Sequence, residues 1–219
     1  DKRSRKSNIR NARKDWWCIK LITHSLFPTA VTFFKHKGIT EKEIKFIIKQ
    51  ETRDNGGNTT SVDNNILENK EMKKLKQFID KSLKEYFLNI HVPKNNVEPY
   101  ITQSWCNYTK EGQFHHKHAH PNSYISGVFY VQADKTKDKI YFYKEGYKRI
   151  KIPAKEYNPF NSDSWWFETE TNDLVIFPSN LVHMVEKVIG KERISLSFNT
   201  FLKGYIGEDL DLTGLHIGV

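Results

Sequence analysis

The stretch Arg193-Ile194-Ser195-Leu196-Ser197-Phe198-Asn199 alternates polar and apolar residues without a break. In a β-strand successive side chains point to opposite faces, so Arg193, Ser195, Ser197 and Asn199 share one face and Ile194, Leu196 and Phe198 the other. An edge strand washed by solvent gives this pattern. So does a barrel with a polar ligand cavity, its apolar side turned toward packed helices. The same period of two runs through everything from residue 100 onward, with strands predicted at 101–109, 113–120, 124–132, 139–143, 164–169, 174–178, 182–188 and 193–201.

The first half reads differently. Ile19-Lys20-Leu21-Ile22 and the run from Leu26 to Phe34 are short apolar strand candidates on either side of His24-Ser25; His24 has no partner at ligand spacing and reads as structural. Thr40 with Glu43 three residues on forms a capping box, which predicts a helix whose buried stripe is Ile44, Ile47 and Ile48. Asp54-Asn55-Gly56-Gly57-Asn58 breaks the chain as a loop. A second helix is expected from about Glu68 to Asn89, because Met72, Leu75, Ile79, Leu83 and Tyr86 recur every three to four residues. Two helices followed by many short strands predict an α+β, mainly β fold: a barrel or double-sheet jelly roll with the helices on one outer face.

Composition bounds the function. The 219 residues, 37% hydrophobic and 28% charged, suit one globular core. No apolar run approaches the roughly 20 residues needed to cross a bilayer, and no apolar signal core follows Lys2, so an intracellular, cytoplasmic protein without membrane partners is expected. Two cysteines, Cys18 and Cys106, give neither a disulfide framework nor a thiolate site. The net charge of +9 is concentrated at the start: residues 1–20 hold eight basic side chains against Asp1 and Asp15, six of the nine units. Residues 1–20 are therefore set apart as a basic tail, and 21–219 as a single domain. Such a tail can hold nucleic acid through its phosphates, although basic tails are more often simply solvated. Trp16 and Trp17 could stack on bases but read as anchors of the chain to the domain.

The segment Phe114-His115-His116-Lys117-His118-Ala119-His120-Pro121-Asn122 holds four of the nine histidines. On a regular strand His116, His118 and His120 share a face, so His118 and His120 can both offer nitrogens to one metal ion; His115 falls on the opposite side. A third ligand must come from a distant strand, and His183, 65 residues after His118, is the strong candidate. Taken singly, each would be an ordinary partly buried histidine. Arg193, ten residues after His183, turns the set into a joint pattern.

These residues carry a resemblance. The H-x-H-P-N-S motif at 118–123, followed by Ile125-Ser126-Gly127-Val128-Phe129-Tyr130-Val131, Leu174-Val175-Ile176-Phe177-Pro178-Ser179, His183 and Arg193–Asn199, resembles the 2-oxoglutarate-Fe(II) oxygenases found in marine bacteria and their phages. The likeness spans roughly 26–202, including Leu26-Phe27-Pro28-Thr29, the Gly56-Gly57 loop and Ser104-Trp105-x-Asn107, and is weakest over 144–163. It implies a double-stranded β-helix, with Fe(II) held by His118, His120 and His183. The cosubstrate 2-oxoglutarate would have its far carboxylate clamped by Arg193, with Ser195 and Tyr130 as hydroxyl donors. Asn107 would hold the cosubstrate or a water. The implied reaction uses O2 to hydroxylate an unknown substrate, releasing succinate and CO2. Lys, Asn and Ile usage suits an AT-rich phage genome, which would place the protein in a bacterium or an infected host cell.

The sequence departs from that family at one ligand: His120 stands where the H-x-D/E pattern has a carboxylate. Three imidazoles still suit Fe(II), but leave the site one unit more positive and suit Zn, Cu or Ni as well. A shifted set, His116, His118 and His183, meets the same strand parity; Pro121-Asn122 ending the strand favours His118 and His120. Two other readings stay open: a cupin-like three-histidine metal protein that does not use 2-oxoglutarate, and a non-catalytic module binding through its basic tail. Trp105, Trp165 and Trp166 could line a substrate mouth but are assigned to the core, as large aromatics of half-buried strands usually are, and Tyr141 and Tyr143 likewise. The segment 144–173, with Tyr147, Pro153, Pro159 and Phe160, is expected to border the cavity mouth.

Overall fold

The structure, a computed structural model, describes residues 21–146, 150 and 152–218. The basic stretch 1–20, with Trp16, Trp17 and Cys18, and Tyr147 lie outside the described residues. Two sheets face each other. The larger contains β1 (Thr32–Lys35), β9 (Asp173–Pro178), β6 (Ile125–Gln132), β11 (Arg193–Ile206), β4 (Val97–Thr109), β3 (Thr59–Ser61) and β2 (Thr52–Asp54) in that order, with β12 (Leu215–Ile217) paired to the end of β11. The smaller has the order β5 (His115–His118), β10 (His183–Val185), β7 (Lys139–Tyr143) and β8 (Ser164–Glu168). Apart from the β7–β8 hairpin, each step from β4 to β11 crosses from one sheet to the other, and all pairings among these strands are antiparallel. This is a double-stranded β-helix, as expected.

The alternation read in β11 is the alternation of the layers. Ile194, Leu196 and Phe198 join Phe129, Leu174, Ile176 and Cys106 against the helices, while Arg193, Ser195 and Ser197 face the space between the sheets. β6 is buried on both faces because its other set, Val128 and Tyr130, packs inward with Val175 and Phe177. Between them, at Gly127, the Phe198 ring leaves no space: an added Cβ would lie 2.2 Å from Phe198 Cζ. Gly127→Ala is expected to lower stability by about 1–3 kcal/mol through overpacking, seen as a fall in melting temperature that Phe198→Leu in the same chain partly restores.

Helix α1 (Glu41–Ile48) begins at the capping box: the Thr40 amide donates to Glu43 Oε2 at 2.7 Å and the Glu43 amide to Thr40 Oγ1 at 3.3 Å. Glu43 has a second task. Its Oε1 accepts from the Leu75 amide at 2.9 Å, capping the start of α2 (Lys73–His91), where Met72 offers no side-chain cap of its own. α2 buries Leu75, Ile79, Leu83 and Tyr86 on the larger sheet, and two 3-10 turns, Ile66–Glu68 and Lys70–Met72, precede it. No helix among the described residues is long and apolar enough to cross a membrane.

Several expectations need correction. Ile47 is buried as expected, but Ile48 is 59% exposed and Ile44 only half-buried, and Glu43 is the other buried residue of α1. The strand expected over 26–34 is confined to Thr32–Lys35, because Phe27 sits at φ 55, which interrupts an extended chain, and only 32–35 find partners on β9. Residues 21 and 22 carry no strand. The Gly56-Gly57 loop is the turn of a hairpin, β2–β3, with Gly56 at φ 64. Trp165 and Trp166 are 38% and 42% exposed on the edge strand β8, and Tyr141 and Tyr143 are half-buried, with Tyr141 paired across to Trp166; none of the four is core.

Candidate active site

Strands β5 and β10 pair at His118 with His183, and one step later at His115 with Val185. Two residues of β10 therefore span three of β5, which is a β-bulge at His116-Lys117. The bulge overturns the parity expected for this segment. His115 and His118, not His116 and His118, face the cavity between the sheets, and His116 is exposed. His120 follows the end of β5; its backbone amide donates to the Ser179 carbonyl at 2.9 Å, which brings its ring back toward β10.

The side-chain nitrogens of His118, His120 and His183 lie within 4.8 Å of one another. Two of these rings are oriented by backbone: His118 Nδ1 lies 2.7 Å from the His116 carbonyl and His183 Nδ1 lies 3.0 Å from the Leu181 carbonyl. Each carbonyl can only accept, so Nδ1 carries the proton and Nε2 is left with a free lone pair. His183 Nε2 and His120 Nε2 stand 3.3 Å apart. Burial, with His118 adding to it, holds His120 down to about 4 and His183 down to about 3, and burial likewise lowers His118. All three are neutral at pH 7, the state in which imidazole binds a metal. The alternative set does not assemble: His116 groups with His115 and His118, not with His183.

A cavity of about 390 Å3, including space open to solvent, adjoins this trio. Trp105, His115, Val128, Tyr130, Ile140, Arg193, Ser195 and Ser197 are among the residues that line it. Arg193 dominates its chemistry. The side chain is 2% exposed, and among the described residues its Nε and Nη1 have no hydrogen-bond partner and its one hydrogen bond is Nη2 to Thr109 Oγ1 at 3.5 Å. Burial pulls its pKa below the ordinary guanidinium value, with Tyr130 and Asp138 opposing. A buried cation with free donors is costly unless an anion completes it. Ser195 pairs across to Asn107 on β4 and to Tyr130 on β6, so the three sit in one row beside Arg193. Burial pushes the Tyr130 hydroxyl up to about 12, which keeps it a hydrogen-bond donor. Asn107 donates to Ser197 Oγ at 3.1 Å, and its Oδ1 has no partner among the described residues.

Sequence reasoning missed two residues here. His115 was placed on the far side, for lack of any signal of the bulge. Trp105 was assigned to the core, yet it lines the cavity with its ring 5.8 Å from that of His120. The loop segment after residue 143 contributes no lining residue among the described ones, whereas Met184 and Val185 do. His24 is exposed and belongs to neither histidine group.

Residues 103–199 match the model of a family described as "Putative 2OG-Fe(II) oxygenase". That span runs from β4 to β11 and contains both histidine groups and every cavity-lining residue named above. No curated protein sequence matches. Among solved structures, an oxidoreductase of the 2OG-Fe(II) oxygenase family from Burkholderia pseudomallei is similar at 12% identity and a TM-score of 0.51, over 72% of this chain and 74% of that one. HygX from Streptomyces hygroscopicus, solved with nickel, 2-oxoglutarate and hygromycin B, is similar at 10% identity and a TM-score of 0.53, over 78% of this chain and 82% of that one. At these identities the likeness speaks for the fold.

Proposed function

We propose that the chain is a 2-oxoglutarate- and Fe(II)-dependent oxygenase that hydroxylates a substrate still to be identified, with release of succinate and CO2. The observation that carries this reading is the buried guanidinium of Arg193, with Nε and Nη1 unpartnered among the described residues, in the cavity that also holds three neutral histidines. Each half fits one part of the machinery. His118, His120 and His183 would hold the metal ion, two of them with Nε2 already fixed as the donor. Arg193 would pair with the far carboxylate of 2-oxoglutarate through charge-assisted hydrogen bonds, and Ser195 and Tyr130 would donate hydroxyl protons to the same group. Asn107, held by Ser197, keeps its free Oδ1 for a water or the cosubstrate. When bound, the metal supplies the O2 chemistry and the protein supplies position and charge. Val128, Ile140 and Trp105 make the rest of the wall apolar, which excludes water around the carboxylate pair. In this reading residues 21–219 form the oxygenase-like domain and residues 1–20 a basic tail that could contact nucleic acid.

The test is spectroscopic. Fe(II) and 2-oxoglutarate added together under anaerobic conditions should give the weak visible charge-transfer band of a chelate that neither gives alone. The absence of a carboxylate among the three histidines favours one competitor, a cupin-like metal protein that does not use 2-oxoglutarate. Tight Fe(II) binding with no band on adding 2-oxoglutarate would decide for it.

A further inference from the structure

The bulge in β5 does more than turn His115 inward. It gathers His115, His116 and His118 so that their side-chain nitrogens also lie within 4.8 Å of one another, a second trio of imidazoles. The rings are in mutual contact, with centroids 5.2 Å apart for His115 and His116, 5.0 Å for His116 and His118 and 4.6 Å for His115 and His118. Three imidazoles without a carboxylate or thiolate suit a divalent transition-metal ion such as Fe, Co, Ni or Zn. Lys117, the one cation on this strand, is engaged elsewhere: its ammonium lies 4.3 Å from the centre of the Tyr143 ring and 3.5 Å from Glu145. Arg193 acts on His115 from the inner side and would disfavour a cation there until an anion pairs with it.

The two trios share His118. Its Nδ1 is committed to the His116 carbonyl, so a single free nitrogen, Nε2, must serve both. One lone pair cannot ligate two ions, and occupation of one trio excludes the other. They also differ in access. The outer trio includes the exposed His116, whereas His183 of the inner trio is 5% exposed.

We propose that His115, His116 and His118 form a second divalent-cation site, outside the first, that captures an ion from solution and passes it to His120 and His183 through the shared His118. The capture step stands by itself; the transfer step rests on the functional reading above. The outer site is the weaker of the two. Only one of its rings is oriented by backbone, against two in the inner set, and loss of such an orienting partner costs roughly 10–100-fold in metal affinity.

The experiment uses the full chain without an added histidine tag, with Co(II) alone as the probe, read by visible absorption and equilibrium dialysis. The unaltered protein should bind one Co(II). A His120→Ala/His183→Ala variant should still bind one, roughly 10–100-fold more weakly, and adding His115→Ala and His116→Ala should abolish binding. His116 is exposed, so His116→Ala alone folds normally; it should keep the affinity of the unaltered protein and lose several-fold in the rate of Co(II) uptake. Two ions per unaltered chain would overturn the sharing of His118. An unchanged uptake rate in His116→Ala would overturn the loading role, and a folded double variant that binds no Co(II) would overturn the site. That last outcome leaves the oxygenase reading standing, whereas no Co(II) binding by the unaltered chain would sink both.

Discussion

Arg193→Met should bind 2-oxoglutarate at least about a hundredfold more weakly than the unaltered chain and yet, without cosubstrate, melt at a higher temperature. The two effects have one cause. A guanidinium that is 2% exposed, with Nε and Nη1 unpartnered, is a desolvated charge kept in place by the surrounding fold. Replacing such a group by an apolar side chain of similar length relieves a cost of about 1–4 kcal/mol. The same change removes the partner that a dianionic ligand would find, and an unpaired buried carboxylate is penalised by about 3–5 kcal/mol. Thermal melts with and without 2-oxoglutarate, in the presence of a redox-inert metal, read both quantities. The unaltered chain should gain about 2.7 kcal/mol at a cosubstrate concentration one hundred times its Kd, and the variant no more than about 0.4 kcal/mol. A variant that melts lower and still responds to 2-oxoglutarate would show that Arg193 serves packing rather than recognition.

The metal-free protein should lose stability steeply as pH falls from 6.5 toward 4. Burial holds His115 down to about 2, His183 to about 3 and His120 to about 4, with neighbouring histidines adding to each. These folded-state values lie below the free imidazole's 6.5, so the unfolded chain takes up protons that the folded chain refuses. The contribution is complete above about pH 6.5 and is lost as pH falls through the window between the unfolded and folded values. Each such proton contributes about 1.36 kcal/mol per pH unit, so three give about 4 kcal/mol per unit. Solvent reaches the half-buried His115 and His120, which halves the expectation to on the order of 3 kcal/mol between pH 7 and pH 5. Chemical denaturation at the two pH values measures it, and equal midpoints would contradict the neutral, buried state assigned to these rings. A bound ion competes with the same protons and should be released in the same window.

How far these features were legible in the sequence depends on whether local pattern or non-local geometry sets them. The inward row of Arg193, Ser195 and Ser197 follows from strand parity, and the start of α1 from the Thr40–Glu43 capping box, because both are fixed by residues a few positions apart. The convergence of His118, His120 and His183 followed from combining that parity with a distant partner. His115 was misplaced because a bulge inserts one residue without any compositional mark, and a shift of one reverses every side chain beyond it. The strands β2, β3 and β12 were missed because three residues cannot display a period. The exposed Trp165 and Trp166 and the cavity-lining Trp105 share a residue type and differ in the layer they face, which only the sheet order decides.

The bulge at His116-Lys117 is a single residue of surplus in β5, and that gives it a genetic meaning. Loss of the His116 codon would let β5 pair regularly with β10, keeping His115 opposite Val185 and His118 opposite His183 while removing one ligand of the outer trio. The inner trio and the outer trio are thus separable by the smallest possible in-frame change, and a lineage of such chains could gain or shed the outer one without rebuilding the sheet that carries both.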